Sequence, residues 1–293
     1  MLSFLTDMDW VLEVRSELLT FVFKAVTELG SYLFALVFLT LGYWFWNKDI
    51  FSRLIAMSVL SKILNTHLKM AYMAPRPGPA YQLMDVAEWG FPSGHAQHGA
   101  TMWLGFAAEL GQTWAWILSS LITAGIAMSR VYLGVHYLRD VIAGVLVGLL
   151  MVSYFRWLSK RYDRRPGVTW RQLVLLLAIQ TPWLFLAPVD RFYYAFLPLA
   201  LFVGFWTGSA CQRAFPRLTV LNRYLSLLIA LATVAVIAVG AFSLLAGQNR
   251  WWGPLGLGTN PIAIYFQFAL LGLWSSVVAP RLRNKSRLKK QNA

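Results

Sequence analysis

Long apolar runs separated by short polar gaps organise this chain. Runs at 29–46, 51–72, 113–130, 138–158, 172–188, 192–210, 224–247 and 262–280 are each long enough to cross a ~30 Å hydrocarbon core as a helix. Residues 93–110 add a shorter helix with a polar start, which brings the candidate spans to nine. No succession of short alternating strands is present, so a transmembrane β-barrel is not expected. The pattern predicts an all-α, polytopic membrane bundle.

The first segment breaks the pattern. In WVLEVRSELLTFVFKAVT, residues 10–27, the apolar positions are interrupted by Glu13, Arg15, Glu17 and Lys24. That fits an amphipathic helix lying in the interface better than a span. Asp7 and Asp9 stand where a cleavable signal would carry positive charge, so insertion is expected to begin from an uncleaved helix. The chain then divides into an interfacial segment 1–28, a core 29–158 that carries the polar motifs, plainer helices over 172–280, and a basic tail 281–293. The loop KRYDRRPGVTWR, 160–171, is the best boundary between the two sets of helices. Gly144 and Gly148 form a GxxxG, read here as close packing within the chain in preference to a dimer seam.

Composition agrees with the pattern. The chain is 58% hydrophobic and only 13% charged, against roughly 25% charged in soluble domains. A net charge of +14 raises the question of nucleic acid. The basic residues sit in gaps between apolar runs, however, and do not interleave with aromatics on a polar surface, so no nucleic-acid partner is expected. Cys211 is the single cysteine, which excludes an intrachain disulfide and a cysteine-ligated zinc. The tail holds Arg281, Arg283, Lys285, Arg287, Lys289 and Lys290, and the 156–171 segment is similarly basic. With nine spans, the side bearing these segments carries about twice as many Lys and Arg as the other, which assigns it to the cytoplasm. The N-terminus and the 69–95 and 129–139 segments then face outward.

Three short stretches on that outer side carry chemistry: KMAYMAPRP with Lys69, Arg76 and Pro77, then FPSGHAQHG at 91–99, then SRVYLGVHYLRD at 129–140. Lys69, Arg76 and Arg130 bring three cations to one face. Pro92, Ser93 and Gly94 read as a helix start, with Ser93 as N-cap and Gly94 offering no side chain to block an approaching ligand. Such a start presents free amides and the positive end of a helix dipole. Together these groups suit a tetrahedral dianion such as a phosphate monoester, the arginines gripping two oxygens and the lysine acting as a point charge. His136 and Asp140 are four apart, which on a helix puts both on one face. A carboxylate holding one ring nitrogen leaves the other free to attack. His95 is placed to protonate a departing alkoxide. The set needs no metal and no cofactor.

K-x6-RP at 69–77, PSGH at 92–95 and SR-x5-H-x3-D at 129–140 resemble the three-part signature of the type 2 phosphatidic acid phosphatase (PAP2) superfamily. The resemblance covers roughly residues 29–158. It implies a helical membrane core and metal-independent phosphate release at an outward-facing site. It also implies a phosphohistidine on His136, oriented by Asp140, with His95 as acid and with Lys69, Arg76, Ser93, Gly94 and Arg130 holding the phosphate. The expected substrate is a membrane lipid phosphate or diphosphate: phosphatidic acid, phosphatidylglycerol phosphate, an isoprenyl diphosphate or a sphingoid phosphate. Phosphoryl transfer to a lipid acceptor and glucose-6-phosphatase-like hydrolysis of a soluble ester stay open as alternatives, and a bacterial inner membrane is the preferred setting.

Several nearby residues are set aside. His67 is read as a packed histidine, and Asp85 and Glu88 as residues of a solvated loop without defensible metal-ligand spacing. Arg139 is read as a lipid-headgroup contact. Tyr81, Trp89 and Phe91 fit an interfacial aromatic belt or an acyl-chain entrance. His98 is left as a residue that could touch substrate or tune His95. The chain has no GxxxxGK[ST], so direct ATP hydrolysis has no support.

Overall fold

A computed structural model describes residues 5–161 except residue 87, all within the compact unit Met1–Pro166. Every regular element among these residues is helical: α1 (Asp9–Glu13), α2 (Glu17–Glu28), α3 (Tyr32–Leu41), α4 (Lys48–Tyr72), α5 (Gly94–Leu110), α6 (Thr113–Tyr132) and α7 (Leu138–Arg161). A π-helical turn, Gly42–Trp46, extends α3. The candidate spans 172–188, 192–210, 224–247 and 262–280 lie outside the described residues.

The N-terminal segment is two helices where the sequence pattern predicts one. Ser16 adopts extended backbone and its hydroxyl accepts a hydrogen bond from Leu19 N, capping α2 and ending the continuity with α1. The span predicted at 29–46 begins later, at Tyr32, after Ser31 caps α3 through Phe34 N.

Helix α5 is the centre of the unit and packs against α4, α6 and α7. Its sequence explains why. Small residues Gly94, Ala96, Gly99, Ala100, Gly105 and Ala107 let neighbours approach, and all are buried. α7 answers with its own glycines. A Cβ on Gly144 would lie 2.6 Å from Ser93 O, and one on Gly148 would lie 2.6 Å from the Ala100 Cβ. The GxxxG is therefore a seam between α7 and α5 within the chain, as expected. Polar side chains lock α4 to α5. Gln97 donates to Ser61 O at 2.8 Å and accepts from Asn65 Nδ2 at 3.0 Å, so these buried amides satisfy one another. At the other end of the same pair Arg53 and Glu109 form a two-pronged ion pair.

α6 and α7 present large apolar side chains outward, including Trp114, Ile117, Leu121, Leu146, Leu150 and Trp157. Exposed apolar surface of this extent is unfavourable against water and suits lipid. Among the described residues two helices, Thr113–Tyr132 and Leu138–Leu158, are long and apolar enough to cross a membrane. α4 is long enough, at 25 residues, but buries Ser58, Ser61, Lys62, Asn65, Thr66 and Lys69. It reads as an inner helix whose polar face serves the site.

Candidate active site

Four chain segments converge where α4 and α6 end and α5 and α7 begin. α4 terminates at Met73, whose left-handed backbone (φ 43°) turns the chain into the loop carrying Arg76. Gly134 (φ +69°) makes the corresponding turn between α6 and α7. A Cβ there would lie 1.7 Å from Tyr81 O, so only glycine fits. The loops are tied together through their backbones: Leu83 N donates to Leu133 O, Gly90 N to Ala74 O, and Ser93 N to Asp140 O at 2.9 Å. That last bond fixes the start of α5 against the start of α7.

His136 lies in the turn before α7, not on the helix face that its four-residue spacing from Asp140 predicts. The reason is local. Asp140 is the third residue of α7 and its Oδ2 accepts from Tyr137 N at 3.0 Å, which is half of a capping box and makes Tyr137 the cap. His136 Nδ1 lies 3.6 Å from that same Oδ2, a charge contact longer than a hydrogen bond. The other ring nitrogen, Nε2, is 3.0 Å from Arg76 Nη1.

Arg76 is the hub. Its Nη1 donates to Val135 O at 2.6 Å as well as approaching His136, its Nε donates to Glu88 O at 2.6 Å, and its Nη2 donates to Trp89 O. Lys69 Nζ also donates to Trp89 O. Arg130 closes α6, is 2% exposed, donates from Nη1 to Thr27 Oγ1 at 2.9 Å, and has no hydrogen-bond partner at Nε. Ser93 is the N-cap of α5 as expected, yet its buried hydroxyl makes no capping bond and has no other partner. The first amides of α5 likewise have no partner within the helix. Gly94 sits so close to Asn65 that a Cβ would be 3.1 Å from Oδ1. His95 follows, half-buried, one residue into the helix.

Glu88 overturns its reading as a solvated loop residue. Its carboxylate bridges two ammonium groups, with Oε1 3.5 Å from Lys62 Nζ and Oε2 3.6 Å from Lys69 Nζ. The cause is Lys62, whose side chain is 5% exposed inside α4 and needs a counter-charge. Arg139 is likewise more than a surface residue. Its Nε lies 3.5 Å from Asp140 Oδ1 and its guanidinium covers the Tyr137 ring. His67 Nδ1 pairs with Ile63 O one turn back, as a packed histidine would. His98 is buried against the Tyr32 ring, centroids 4.7 Å apart. The Tyr81 hydroxyl donates to Asp9, and Phe91 packs on Tyr72. Among the described residues no His, Cys, Asp and Glu side chains cluster as a metal site requires.

Burial, reinforced by the charges of Arg76 and Arg130, pushes the His136 imidazole well below the usual histidine range. The ring is therefore neutral, the form that can attack. Burial also lowers Arg76, partly offset by Glu88 and Asp140. For Glu88 burial alone would raise the carboxyl, but Lys62, Lys69 and Arg76 outweigh it and keep it ionised. Arg76, Arg130 and Lys69 thus lie around a neutral imidazole, a cationic setting that favours an anionic ligand.

The family model of the PAP2 superfamily matches residues 50–164. Phosphatidylglycerophosphatase B of Bacillus subtilis is 30% identical over 165 residues, which cover 52% of this chain and 80% of that protein. Sphingosine-1-phosphate phosphatase 1 of Rattus norvegicus is 31% identical over 149 residues, 47% of this chain and 34% of that protein. The match thus spans about a third of the length of that mammalian relative. Among solved structures, a transmembrane PAP2 type phosphatidylglycerolphosphate phosphatase from Bacillus subtilis is similar with a TM-score of 0.48 and 27% identity, over 54% of this chain and 84% of that one.

Proposed function

The chain belongs to the PAP2 superfamily, and from that premise we propose that it is a membrane-embedded phosphatase of lipid phosphate or diphosphate monoesters, working through a phosphohistidine on His136. The observation that carries the reading is the pairing of Arg76 Nη1 with His136 Nε2 at 3.0 Å while Asp140 faces the other ring nitrogen. A neutral imidazole whose attacking nitrogen already touches a phosphate-gripping guanidinium is arranged for nucleophilic attack on phosphorus.

The substrate phosphate enters between Arg76, Lys69, Arg130 and the start of α5, where the Ser93 hydroxyl and the amides after it add donors. Arg76 transfers its Nη1 hydrogen bond from His136 to a phosphoryl oxygen. The Nε2 lone pair of His136 forms the N–P bond as the ester P–O bond breaks, and His95 gives its proton to the departing alkoxide. Asp140 stabilises the positive charge on the ring. Water then attacks phosphorus, His95 takes its proton, the N–P bond breaks, and inorganic phosphate leaves with His136 neutral again.

The lipid tail stays in the bilayer while the headgroup reaches the site, which faces the extracytoplasmic side with the tail 281–293 in the cytoplasm. A bacterial inner membrane is the proposed setting. Relatives named for phosphatidylglycerophosphate and sphingosine 1-phosphate support those two substrate classes first. The test is phosphate release from a panel of lipid monophosphates, lipid diphosphates and soluble esters in excess EDTA. Release from a lipid phosphate is expected. Activity confined to soluble esters, label passing to a second lipid in preference to water, or a folded but inert sample would each contradict the proposal.

A further inference from the structure

Resting on that reading of the site, we infer that Glu88 is a built-in competitor for the phosphate cations, and that Lys62 is the positioning residue that receives its carboxylate when phosphate binds. Glu88 holds Lys62 and Lys69 with separate oxygens, at 3.5 and 3.6 Å. Its own carbonyl and that of Trp89 accept from Arg76 and Lys69. One two-residue stretch of loop thus engages both phosphate-binding cations of the α4 end, through its backbone at Arg76 and through backbone and carboxylate together at Lys69.

Lys69 and Lys62 differ in what else they can serve. Lys69 lies in the last turn of α4, in the position where the phosphate is gripped. Lys62 lies seven residues earlier on the same helix face, over the Tyr32 ring at 4.6 Å, and is buried. A dianion arriving at Lys69 repels the Glu88 carboxylate, which keeps Lys62 as its partner. With phosphate gone, the carboxylate returns to Lys69 and restores its counter-charge. Glu88 therefore weakens phosphate affinity and speeds product release, and Lys62 limits how strongly Glu88 competes.

The signs of the substitutions follow. Glu88→Gln tightens inhibition by inorganic phosphate about two- to fivefold, the range of a partly exposed ion pair, and lowers KM without raising kcat. Lys62→Met does the reverse, because Glu88 is left with Lys69 alone. The double variant K62M/E88Q returns affinity to or beyond the wild-type value, and it removes the buried Lys62 charge together with its Glu88 partner, so it keeps the test alive if E88Q alone folds poorly. A merely structural ion pair would weaken phosphate binding in both single variants. The measurement is calorimetric binding of inorganic phosphate to the purified full chain, alongside KM and kcat. Unchanged or weaker phosphate binding in E88Q, or no rescue of K62M by E88Q, overturns the inference. Phosphate binding by the wild type does not depend on turnover, so a wild type that binds no phosphate defeats the proposed site itself, whereas binding that E88Q fails to tighten defeats only the role of Glu88.

Discussion

Arg76 Nη1 lies 3.0 Å from His136 Nε2, on the side of the ring opposite Asp140. The same guanidinium also holds Val135 O, Glu88 O and Trp89 O, so one planar fork ties together the His136 ring, the turn before α7 and the loop before α5.

A lysine cannot reproduce that fork. Arg76→Lys is expected to lower kcat/KM by about 10²-fold, the size of losing one or two charged hydrogen bonds at the reacting group. The loss should appear in both KM and kcat, since in the proposed mechanism Arg76 grips the phosphate, and in the structure it also contacts His136. Steady-state kinetics on the best lipid of the panel checks this.

Asp140 serves the helix and the histidine at once, through the same Oδ2. Asp140→Asn can keep the bond from Tyr137 N and so leave α7 intact, while removing the charge opposite Nδ1. The expected outcome is a fall of about 10²–10⁴ in kcat with little change in thermal stability. A matching loss of helical content and activity would instead make Asp140 a capping residue alone.

How far the sequence reveals this site follows from what each residue needs. Lys69, Arg76, Ser93, Gly94, His95, Arg130, His136 and Asp140 stand out in the sequence because their types and spacings together suit one anion, and the structure brings them to where α4 and α6 end and α5 and α7 begin. The helical class and the α5–α7 glycine seam are legible for the same reason, since small residues at four-residue spacing have a packing consequence. Glu88 is missed because loop position says nothing about a partner 26 residues earlier in a helix. A signal did exist: Lys62 lies in an apolar helix seven residues before Lys69, and the loop from 73 to 92 offers only Asp85 and Glu88 as counter-charges. The break between α1 and α2 is missed because apolar periodicity continues across Ser16, while the cap that ends it is a single hydroxyl.

The glycine seam predicts a graded response. Gly144→Ala puts a methyl 2.6 Å from Ser93 O, and Gly148→Ala puts one 2.6 Å from the Ala100 Cβ. Each overpacks the α5–α7 contact and should cost about 1–3 kcal/mol of stability. Only Gly144→Ala presses on the residue that starts α5, so it should also slow turnover. Thermal unfolding in detergent and kcat on the same samples separate the two effects.

His136 also imposes a pH dependence on stability. Its folded pKa lies below the unfolded value of about 6.5, so the unfolded chain binds the extra proton first. Stability is then full above about pH 6.5 and declines as the pH falls below it. His136→Gln removes this group and should flatten the loss of thermal stability between about pH 7 and 5. An equally steep decline in the variant would place the titrating group elsewhere.

The most direct test is to trap the covalent intermediate. Protein mixed with a lipid phosphate labelled on phosphorus, quenched within a turnover and digested, should yield one labelled peptide whose phosphate is acid-labile and base-stable and sits on His136. His136→Ala should bind inorganic phosphate yet give neither label nor turnover. Label on another residue, or hydrolysis that survives in His136→Ala, would contradict the assignment of His136 as the nucleophile.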